Sequence, residues 1–418
     1  MRMPVLRSIC IGDLGRVVTG KTPPSAQPEL FGNLYPFITP TDMDWDVRYV
    51  EPDRFLSLSG KEYQNRLMLP AAAVCVVCIG ATIGKVCMTR CPSFTNQQIN
   101  SVVVNEKEHD PFFVYHLLTT LRDELKSNAG GAATPIINKT IFSEIKVNAP
   151  SLPVQKRIAG ILSAYDELIE NSQRRIKILE AVARGLYREW FVHFRFPGHE
   201  NHLRVASSLG EIPQGWEVKT FGELYNTGSG GTPSRARPEY FMDGTIDWVK
   251  SQELLDGFVL STEERITERA ILESSAKLFP ANSVLVALYG ATIGKLAILS
   301  RDAATNQACC AVLPKLKSFG REFAYLTLFV NREKIISMRL GAAQQNISQV
   351  LLRGLECLKP KDELVSHFSK VTSPFFDEIL ALQRQIHNLR RTRDLLLPRL
   401  LSGQIDVSKL DDHEETLS

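Results

Sequence analysis

The chain has 418 residues, which is enough for two or more domains that each bury a full core. Hydrophobic residues make up 44% of the chain and charged residues 23%, as in soluble globular proteins, and the net charge of +3 is too small to indicate nucleic-acid binding by itself. No apolar run reaches the roughly 18 residues of a membrane span, and no secretory signal pattern begins the chain. We therefore expect a cytoplasmic protein that does not bind membranes.

The chain repeats itself at a nearly constant offset of 210 residues. The matching segments are TGKTPP at 19–24 with SGGTPS at 229–234, GATIGK at 80–85 and again at 290–295, TNQ at 95–97 and 305–307, and Pro150 with Pro360. A match of this length and phase is very improbable by chance, so we interpret the chain as an internal duplication. Each copy is a block of about 150 residues.

Each block mixes strand and helix signals. Residues 73–79 and 283–289 are short apolar runs closed by glycine, which predicts buried strands. GATIGK follows directly and predicts a tight turn between two strands, with Lys85 and Lys295 presented at its end. Residues 111–125 and 321–336 have helical spacing of large apolar residues. We predict a small α+β domain for each block, closed by a final strand or helix before Pro150 or Pro360.

A long amphipathic helix follows each block. Its apolar positions step by three and four without a break, which indicates a coiled-coil seam. The first seam contains Leu162, Tyr165, Ile169, Ser172, Ile176, Leu179, Ala183, Leu186 and Trp190. The second contains Phe375, Ile379, Leu382, Ile386, Leu389, Arg393, Leu396 and Leu400. The order of the chain is therefore block, helix, block, helix.

Catalytic and metal-binding patterns are weak. Cys75, Cys78, Cys87 and Cys91 are spaced loosely like zinc ligands, but three of the four matching positions in the second copy are aliphatic, which favours buried thiols and no metal. GATIGK has one residue too few between its glycines for a phosphate loop and lacks the Ser or Thr after the lysine. No hydrolase, metalloprotease or adenine-methyltransferase motif is present. A nuclease with scattered carboxylates remains open, but we expect a binding protein without catalytic residues.

The matched loops contain side chains that suit DNA. Asn and Gln can read adenine, Arg and Lys can read guanine, and hydroxyls and lysines can contact phosphates. The candidate DNA-binding residues are Lys21, Thr22, Lys85, Asn96, Gln97, Asn138, Lys139, Thr232, Ser234, Arg235, Lys250, Gln252, Lys295, Asn306, Gln307, Gln344 and Gln345. Segments 41–69 and 251–279 share hardly any polar position, so the two copies have like scaffolds and unlike faces.

The motifs SGGTPS, GATIGK and TNQ, the proline that closes each block and the heptad helix behind it resemble the specificity (S) subunit of type I restriction-modification systems. The likeness covers nearly the whole chain, including GEIPQGW at 210–216. The first copy departs from it where Lys21 replaces the second glycine, and where Pro135 and Ile136 stand for Gln345 and Asn346. These departures leave open which loop residues of the first block contact DNA.

The resemblance implies an α+β fold in which two duplicated α/β target recognition domains are separated by two long antiparallel coiled-coil helices with pseudo-two-fold symmetry. The expected boundaries are 1–150 for the first recognition domain, 151–192 for the first spacer helix, 193–210 for a linker, 211–360 for the second recognition domain, 361–403 for the second spacer helix and 404–418 for a disordered acidic tail. The helices are expected to set the distance between two DNA half-sites.

The resemblance also implies partners. These are double-stranded DNA, two methyltransferase (M) subunits and the restriction (R) subunits. The S subunit itself is expected to bind no cofactor, while S-adenosylmethionine, ATP and Mg²⁺ are expected on the partner subunits. Two alternatives remain at this point: a specificity module of another DNA modification enzyme, and a coiled-coil scaffold that does not bind DNA.

Overall fold

The computed structural model describes residues 6–45, 47–130, 134–338 and 346–407. The chain divides into two compact units. The first consists of Met1–Glu170 with Asn388–Ser418, and the second of Asn171–His387. Each unit therefore contains one block and a part of each long helix.

The first block begins and ends on one antiparallel strand pair, Arg7–Cys10 with Lys146–Ala149. Its central antiparallel sheet has the strand order Gly15–Thr19, Ile99–Val104, Val74–Val77 and Val86–Met88. A mixed sheet has the order Phe31–Gly32, Phe55–Leu56, Tyr35–Ile38 and Phe94–Thr95. The helices are Leu58–Tyr63, Pro111–Thr119, Arg122–Ser127 and Lys139–Glu144, with 3-10 turns at Ile11–Leu14, Pro28–Leu30 and Asn65–Leu67.

The second block repeats this plan. Its closing strand pair is Glu217–Thr220 with Glu356–Lys359. A five-stranded sheet has the order Tyr225–Ser229, Cys309–Pro314, Val284–Ala287, Leu296–Leu299 and Phe258–Val259, and a four-stranded sheet has the order Arg265–Ile266, Ile246–Val249, Ala303–Thr305 and Leu278–Phe279. The helices are Phe221–Leu224, Glu268–Glu273, Arg321–Val330, Arg332–Ser337 and Gln349–Arg353, with 3-10 turns at Pro238–Tyr240, Ser251–Glu253 and Gly290–Thr292.

The structure confirms the kinds of secondary structure that the sequence predicts within each block. Both apolar runs form central strands, and GATIGK connects each of them to an antiparallel neighbour. Gly84 and Gly294 have φ of +90° and +80°, a conformation in which a Cβ is strained. Each predicted α-helix is divided in two, because the chain leaves helical geometry after Thr119 in the first block and after Val330 in the second.

The two long helices run antiparallel within each unit. The first helix is Leu152–Tyr187, continued by a π-helical turn at Arg188–Val192, and the second is Asp362–Leu401. In the second unit Trp190 packs on Phe368 with ring centroids 5.5 Å apart, and Arg175 contacts Glu378. In the first unit Arg393 contacts Asp166. Residue numbers thus fall along one helix as they rise along the other, as predicted.

The predicted seams are the buried faces of these helices. Every seam position of both helices is buried or half-buried. Leu162 and Leu400 belong to the core of the first unit, and Ala183 and Ile379 to the core of the second. The heptad prediction is confirmed because the apolar residues at these steps are the ones removed from solvent.

The predicted linker and tail contain more structure than expected. Residues 193–210 include a 3-10 turn at His199–Asn201, and strand Arg204–Ser207 pairs with Gly210–Pro213 in a hairpin. Apolar contacts order this region, since the Phe196 and Trp216 rings stack with centroids 5.5 Å apart. In the tail, Val407 is buried in the core of the first unit. The rest of the predicted tail, 408–418, lies outside the described residues.

The cysteines are mostly packing residues. Cys75 and Cys87 are paired across the neighbouring strands Val74–Val77 and Val86–Met88, and Cys78, Cys309, Cys310 and Cys357 are also buried. Burial raises the pKa of the Cys78 thiol to about 11, which keeps it protonated and unreactive near neutral pH. Cys91, the fourth residue of the zinc-like spacing, is exposed.

Among the described helices, none is both long enough and apolar enough to cross a membrane.

Candidate nucleic-acid interface

The TGKTPP and SGGTPS loops lie directly against the TNQ turn of the same block. The Lys21 amide donates to the Thr95 carbonyl at 3.0 Å. A Cβ placed on Gly20 would lie 2.2 Å from that carbonyl oxygen, and one on Gly230 would lie 1.9 Å from the Thr305 oxygen. Both glycines are therefore required by the close approach of two backbones. The shared motifs bring their loops to one edge of each block.

An identical side-chain hydrogen bond joins these loops in both copies. The Thr22 hydroxyl donates to Oε1 of Gln97 at 2.7 Å, and the Thr232 hydroxyl donates to Oε1 of Gln307 at 2.6 Å. Both glutamines are exposed. The bond fixes each side-chain oxygen and leaves the amide NH₂ turned away from it as a donor to solvent or a ligand. These four predicted residues are brought together as two equivalent pairs.

The asparagines of the motif are turn residues. Oδ1 of Asn96 accepts from the Gln98 amide, and Oδ1 of Asn306 accepts from the Ala308 amide, both at 3.1 Å. Asn138 caps the helix Lys139–Glu144 by accepting from the Ile141 amide. Such short side-chain-to-backbone bonds stabilise turns and helix starts. Their polar identity in this chain is thus explained by local structure.

The two lysines of GATIGK lie in different environments. Lys85 is only 9% exposed and donates to the Met43 carbonyl, with Asp44 4.0 Å away. Lys295 is half exposed and lies 3.4 Å from Asp256. The expectation that both ammonium groups are presented at the end of the turn is wrong for Lys85. The Lys85 ammonium points inward to the buried carbonyl of Met43, and this hydrogen bond stabilises the segment after strand Tyr35–Ile38.

The cations predicted in the second block are neutralised by acidic neighbours. Arg235 forms two hydrogen bonds with Glu264, at 2.6 and 3.0 Å, and its guanidinium lies over the Phe241 ring. Lys250 contacts both Glu263 and Glu264. The hydrogen bonds from Arg235 lower the pKa of the Glu264 carboxyl to about 2, so this carboxylate is charged at any ordinary pH. Arg235 and Lys250 therefore form one ionic cluster around a carboxylate.

The remaining predicted residues are exposed or outside the described chain. Ser234, Gln252 and Lys139 have exposed side chains. Lys21 is also exposed, with its ammonium 5.4 Å from the centroid of the Tyr63 ring. Gln344 and Gln345 lie outside the described residues.

A basic groove in the first block was not predicted as a whole. It has a volume of about 270 Å³ along the edge strand Gly15–Thr19 and is lined by Arg16, Arg66 and Lys139. All three side chains are exposed, and no carboxylate within the described parts of the chain pairs with them. Lys139 was predicted, but Arg16 and Arg66 are 50 residues apart and carry no motif. Only the tertiary structure brings them together.

The second block has other side chains at the positions of the three groove residues. The positions that match Arg16, Arg66 and Lys139 at the offset of 210 are Asn226, Ala276 and Gln349. Gln349 donates to the Ser229 hydroxyl at 2.7 Å, and the Arg353 guanidinium donates to the Thr227 hydroxyl at 2.6 Å and to Gln349 at 3.1 Å. The two copies thus share the threonine–glutamine pair and differ in the side chains beside it, which are three cations in the first block and Gln349 with Arg353 in the second.

Comparison with known proteins identifies the family. The model of the "Type I restriction modification DNA specificity domain" matches residues 7–181 and 213–357. The chain is 26% identical to the MjaIX specificity subunit of Methanocaldococcus jannaschii over 96% of this chain and 93% of that one, and 35% identical to the HindI specificity subunit of Haemophilus influenzae over 41% and 38%. It shares its fold with the S subunit of M. genitalium, with a TM-score of 0.62, 16% identity and coverage of 95% and 96%.

The matched segments correspond to the two copies that the sequence and the structure distinguish, and together they take in most of the chain. The relative from M. jannaschii aligns with nearly its whole length. The chain therefore belongs to the type I restriction-modification DNA specificity family, as a specificity subunit with two target recognition domains.

Proposed function

We propose that the chain binds double-stranded DNA and selects the target of a type I restriction-modification complex, with each block reading one half of a two-part asymmetric site. The threonine–glutamine pair supports this proposal because it presents the same exposed amide from both blocks. A glutamine amide can form two hydrogen bonds with the major-groove edge of adenine. The unlike segments 41–69 and 251–279 supply the difference between the half-sites.

The observation that carries the proposal is the basic groove. Three exposed cations line one concave surface without acidic partners in the described structure. Unpaired cations that line one small surface repel one another, and a polyanion relieves the repulsion. A DNA backbone supplies a row of phosphates of that kind, and Lys21 lies on the adjoining loop. We assign phosphate contacts to Arg16, Arg66 and Lys139, and base contacts to the loop that holds Gln97.

The chain acts in this proposal without catalytic residues of its own. Two methyltransferase subunits and the restriction subunits assemble with it, and they bind S-adenosylmethionine, ATP and Mg²⁺. Support comes from the relatives, whose names describe specificity subunits. Within the described residues, no group of three or more His, Cys, Asp or Glu side chains could hold a metal ion.

The basic groove is tested by measuring DNA affinity against salt concentration. Arg16→Ala, Arg66→Ala and Lys139→Ala should each weaken binding to specific and unrelated duplexes alike, and each should lower the slope of log K against log salt by about one. Lys107→Ala is the matched control, because Lys107 is exposed on the same block between Glu106 and Glu108. Unchanged slopes for all three groove variants would remove the groove from the interface.

The division between blocks is tested by exchanging segment 41–69 for that of a relative with another specificity. The methylated adenines in cells that express the complex then report the target before and after exchange. One half of the target should change and the other should stay. A change in both halves of the target contradicts the division. Co-purification of an M subunit with the chain is a separate test, which distinguishes a type I specificity subunit from a specificity module of another modification enzyme.

A further inference from the structure

A cluster of three buried polar side chains lies where the long helices meet the first block. Nη1 of Arg393 donates to Oδ1 of Asp166 at 2.8 Å, and Nε2 of His116 lies 3.2 Å from Oδ2 of the same carboxylate. All three residues, which we call the polar cluster, are at most 6% exposed. Arg393 occupies a seam position of the second helix, where a coiled coil ordinarily has an apolar residue.

The second unit has apolar residues at the same three positions. At the offset of 210, His116 matches Leu326 and Asp166 matches Phe376. Arg393 of the second helix matches Ala183 of the first helix, 210 residues earlier. Leu326, Phe376 and Ala183 are buried in one core and line one small pocket. Ile379, Ile298 and Phe258 also line that pocket. Its two acidic residues are already paired, Glu180 with Arg184 and Asp256 with Arg332. We call Leu326, Phe376 and Ala183 the apolar set.

Because the chain is duplicated, two copies of the same long helix could pair with each other in place of the native pair. Because the two helices match in phase, the first helix of one chain could take the place of the second helix beside the first block of another chain. Ala183 of that incoming helix would then face Asp166 and His116. In the reciprocal pairing, Arg393 would enter the apolar set beside Phe376. The first wrong pairing takes Arg393 away from the buried Asp166 carboxylate, and the second leaves Arg393 with only Asp394 of its own helix as an opposite charge. Loss of the cross-helix partner of a buried charge is strongly unfavourable.

We propose that the polar cluster acts as a pairing key, which ensures that the first long helix associates with the second long helix and not with a copy of itself. The hydrogen bond between Arg393 and Asp166 forms only when unlike helices meet in the native register. The apolar set contains no charged residue, so Ala183 packs in it favourably and the charged Arg393 does not. A single buried polar position is known to specify the partner and register of a coiled coil at some cost in stability.

The first test converts the polar cluster into the apolar set in the full chain. The variant His116→Leu, Asp166→Phe, Arg393→Ala contains in its first unit the residues that the second unit already packs. It is unfolded, refolded over a range of concentrations and analysed by size-exclusion chromatography with light scattering. The fraction of intertwined dimer should rise about tenfold over that of the natural chain. An equal dimer fraction in a variant with native helix content overturns the proposal.

The second test uses charge complementation, so that the outcome does not depend on the folding of the triple variant. Asp166→Arg and Arg393→Asp are made in separate full chains, and each alone places like charges together. When the two chains are refolded together, exchange of the second helices forms one native pair and one reversed pair, so a heterodimer should form at least tenfold above the level for either chain alone. The double variant in one chain should remain a monomer. Equal association in mixed and separate samples would show that the cluster contributes to stability without choosing the partner.

Discussion

The Thr22 hydroxyl donates a 2.7 Å hydrogen bond to Oε1 of Gln97, across 75 residues of sequence. The second copy reproduces the bond between Thr232 and Gln307. Two blocks that share hardly any polar position in segments 41–69 and 251–279 thus have the same side-chain geometry at this point. The bond joins the glycine-rich loop to the TNQ turn and holds the glutamine amide in one orientation. Preorganisation of this kind reduces the entropy lost when the amide binds a base edge.

We predict that Gln97→Ala and Gln307→Ala each relax one half of the target. Loss of two hydrogen bonds to an adenine should reduce discrimination at that base by about 1–3 kcal/mol. The measurement is the set of adenine methylation sites, or binding to duplexes substituted one base pair at a time. Thr22→Val should give a smaller effect at the same half-site, because it frees the Gln97 oxygen but keeps the amide. Relaxation of both halves by one substitution would contradict the assignment.

A second prediction concerns Lys85 and Lys295. Lys85→Ala should lower the free energy of unfolding by about 1–3 kcal/mol, because it leaves the Met43 carbonyl without its donor. Lys295→Ala should change stability by less than about 1 kcal/mol, because its pair with Asp256 is half exposed. Urea unfolding followed by circular dichroism measures both. A stable Lys85→Ala chain with a reduced salt slope for DNA would show that Lys85 reaches phosphate after all.

A third prediction follows from the buried carboxylate of Asp166. Burial would raise its pKa, but contacts with His116 and Arg393 outweigh burial and lower it. The folded state therefore binds fewer protons than the unfolded state, and the stabilisation is present above the usual aspartate pKa of about 4. It is lost as the pH falls through the folded-state pKa. Desolvation also acts on Tyr115, which packs beside this site and whose pKa burial raises.

The acid dependence is measured as the unfolding free energy of the natural chain and of Asp166→Asn between neutral and acidic pH. The variant should be less stable at neutral pH and should lose less stability on acidification. Arg393→Ala should cost about 3–5 kcal/mol at neutral pH, since it removes the cation bonded to Oδ1 of the buried carboxylate and leaves only His116 beside it. Parallel pH curves for the natural chain and Asp166→Asn would contradict the role of this carboxylate.

A fourth prediction concerns the ionic cluster of the second block. Glu264→Gln removes the carboxylate that pairs with Arg235, so Arg235 becomes available to phosphates, while Lys250 keeps its contact with Glu263. DNA affinity should rise without regard to sequence, and the salt slope should increase by about one for each cation that reaches a phosphate. Glu268→Gln is the control, because it makes the same change of charge at an exposed position nearby. Equal gains in both variants would indicate a general charge effect.

The sequence predicted the scaffold better than the interface. The offset of 210, the strands before GATIGK and the heptad seams are periodic features, and the structure has elements of the predicted type at each. The local role of Asn138 as a helix cap was not foreseen, although the residues after it are helical. Arg16 and Arg66 could not be connected from the sequence, because their proximity depends on how an edge strand and a turn pack.

The polar cluster shows the same limit. Arg393 was correctly placed in the seam, but its partner Asp166 lies one residue after a predicted seam position, and His116 lies on a helix of the block. Periodicity gives the face of a helix to about one residue, whereas an ion pair depends on which side chain reaches across. The duplication contains the missing information, since the three matching positions are all apolar.

The last prediction is that the long helices set the spacing of the DNA target. Insertion of seven residues after Leu179, matched by seven after Leu389, adds one heptad to each seam and so preserves its phase. At about 1.5 Å per residue, each helix becomes about 10 Å longer, which corresponds to about three base pairs of B-DNA. The methylated motif should keep both half-sites and gain about three unread base pairs between them. Insertion of five residues at the same positions is the control: it adds about 7.5 Å but rotates the seam, so it should abolish activity. A fully active seven-residue variant with an unchanged spacer would show that the helices do not determine the distance.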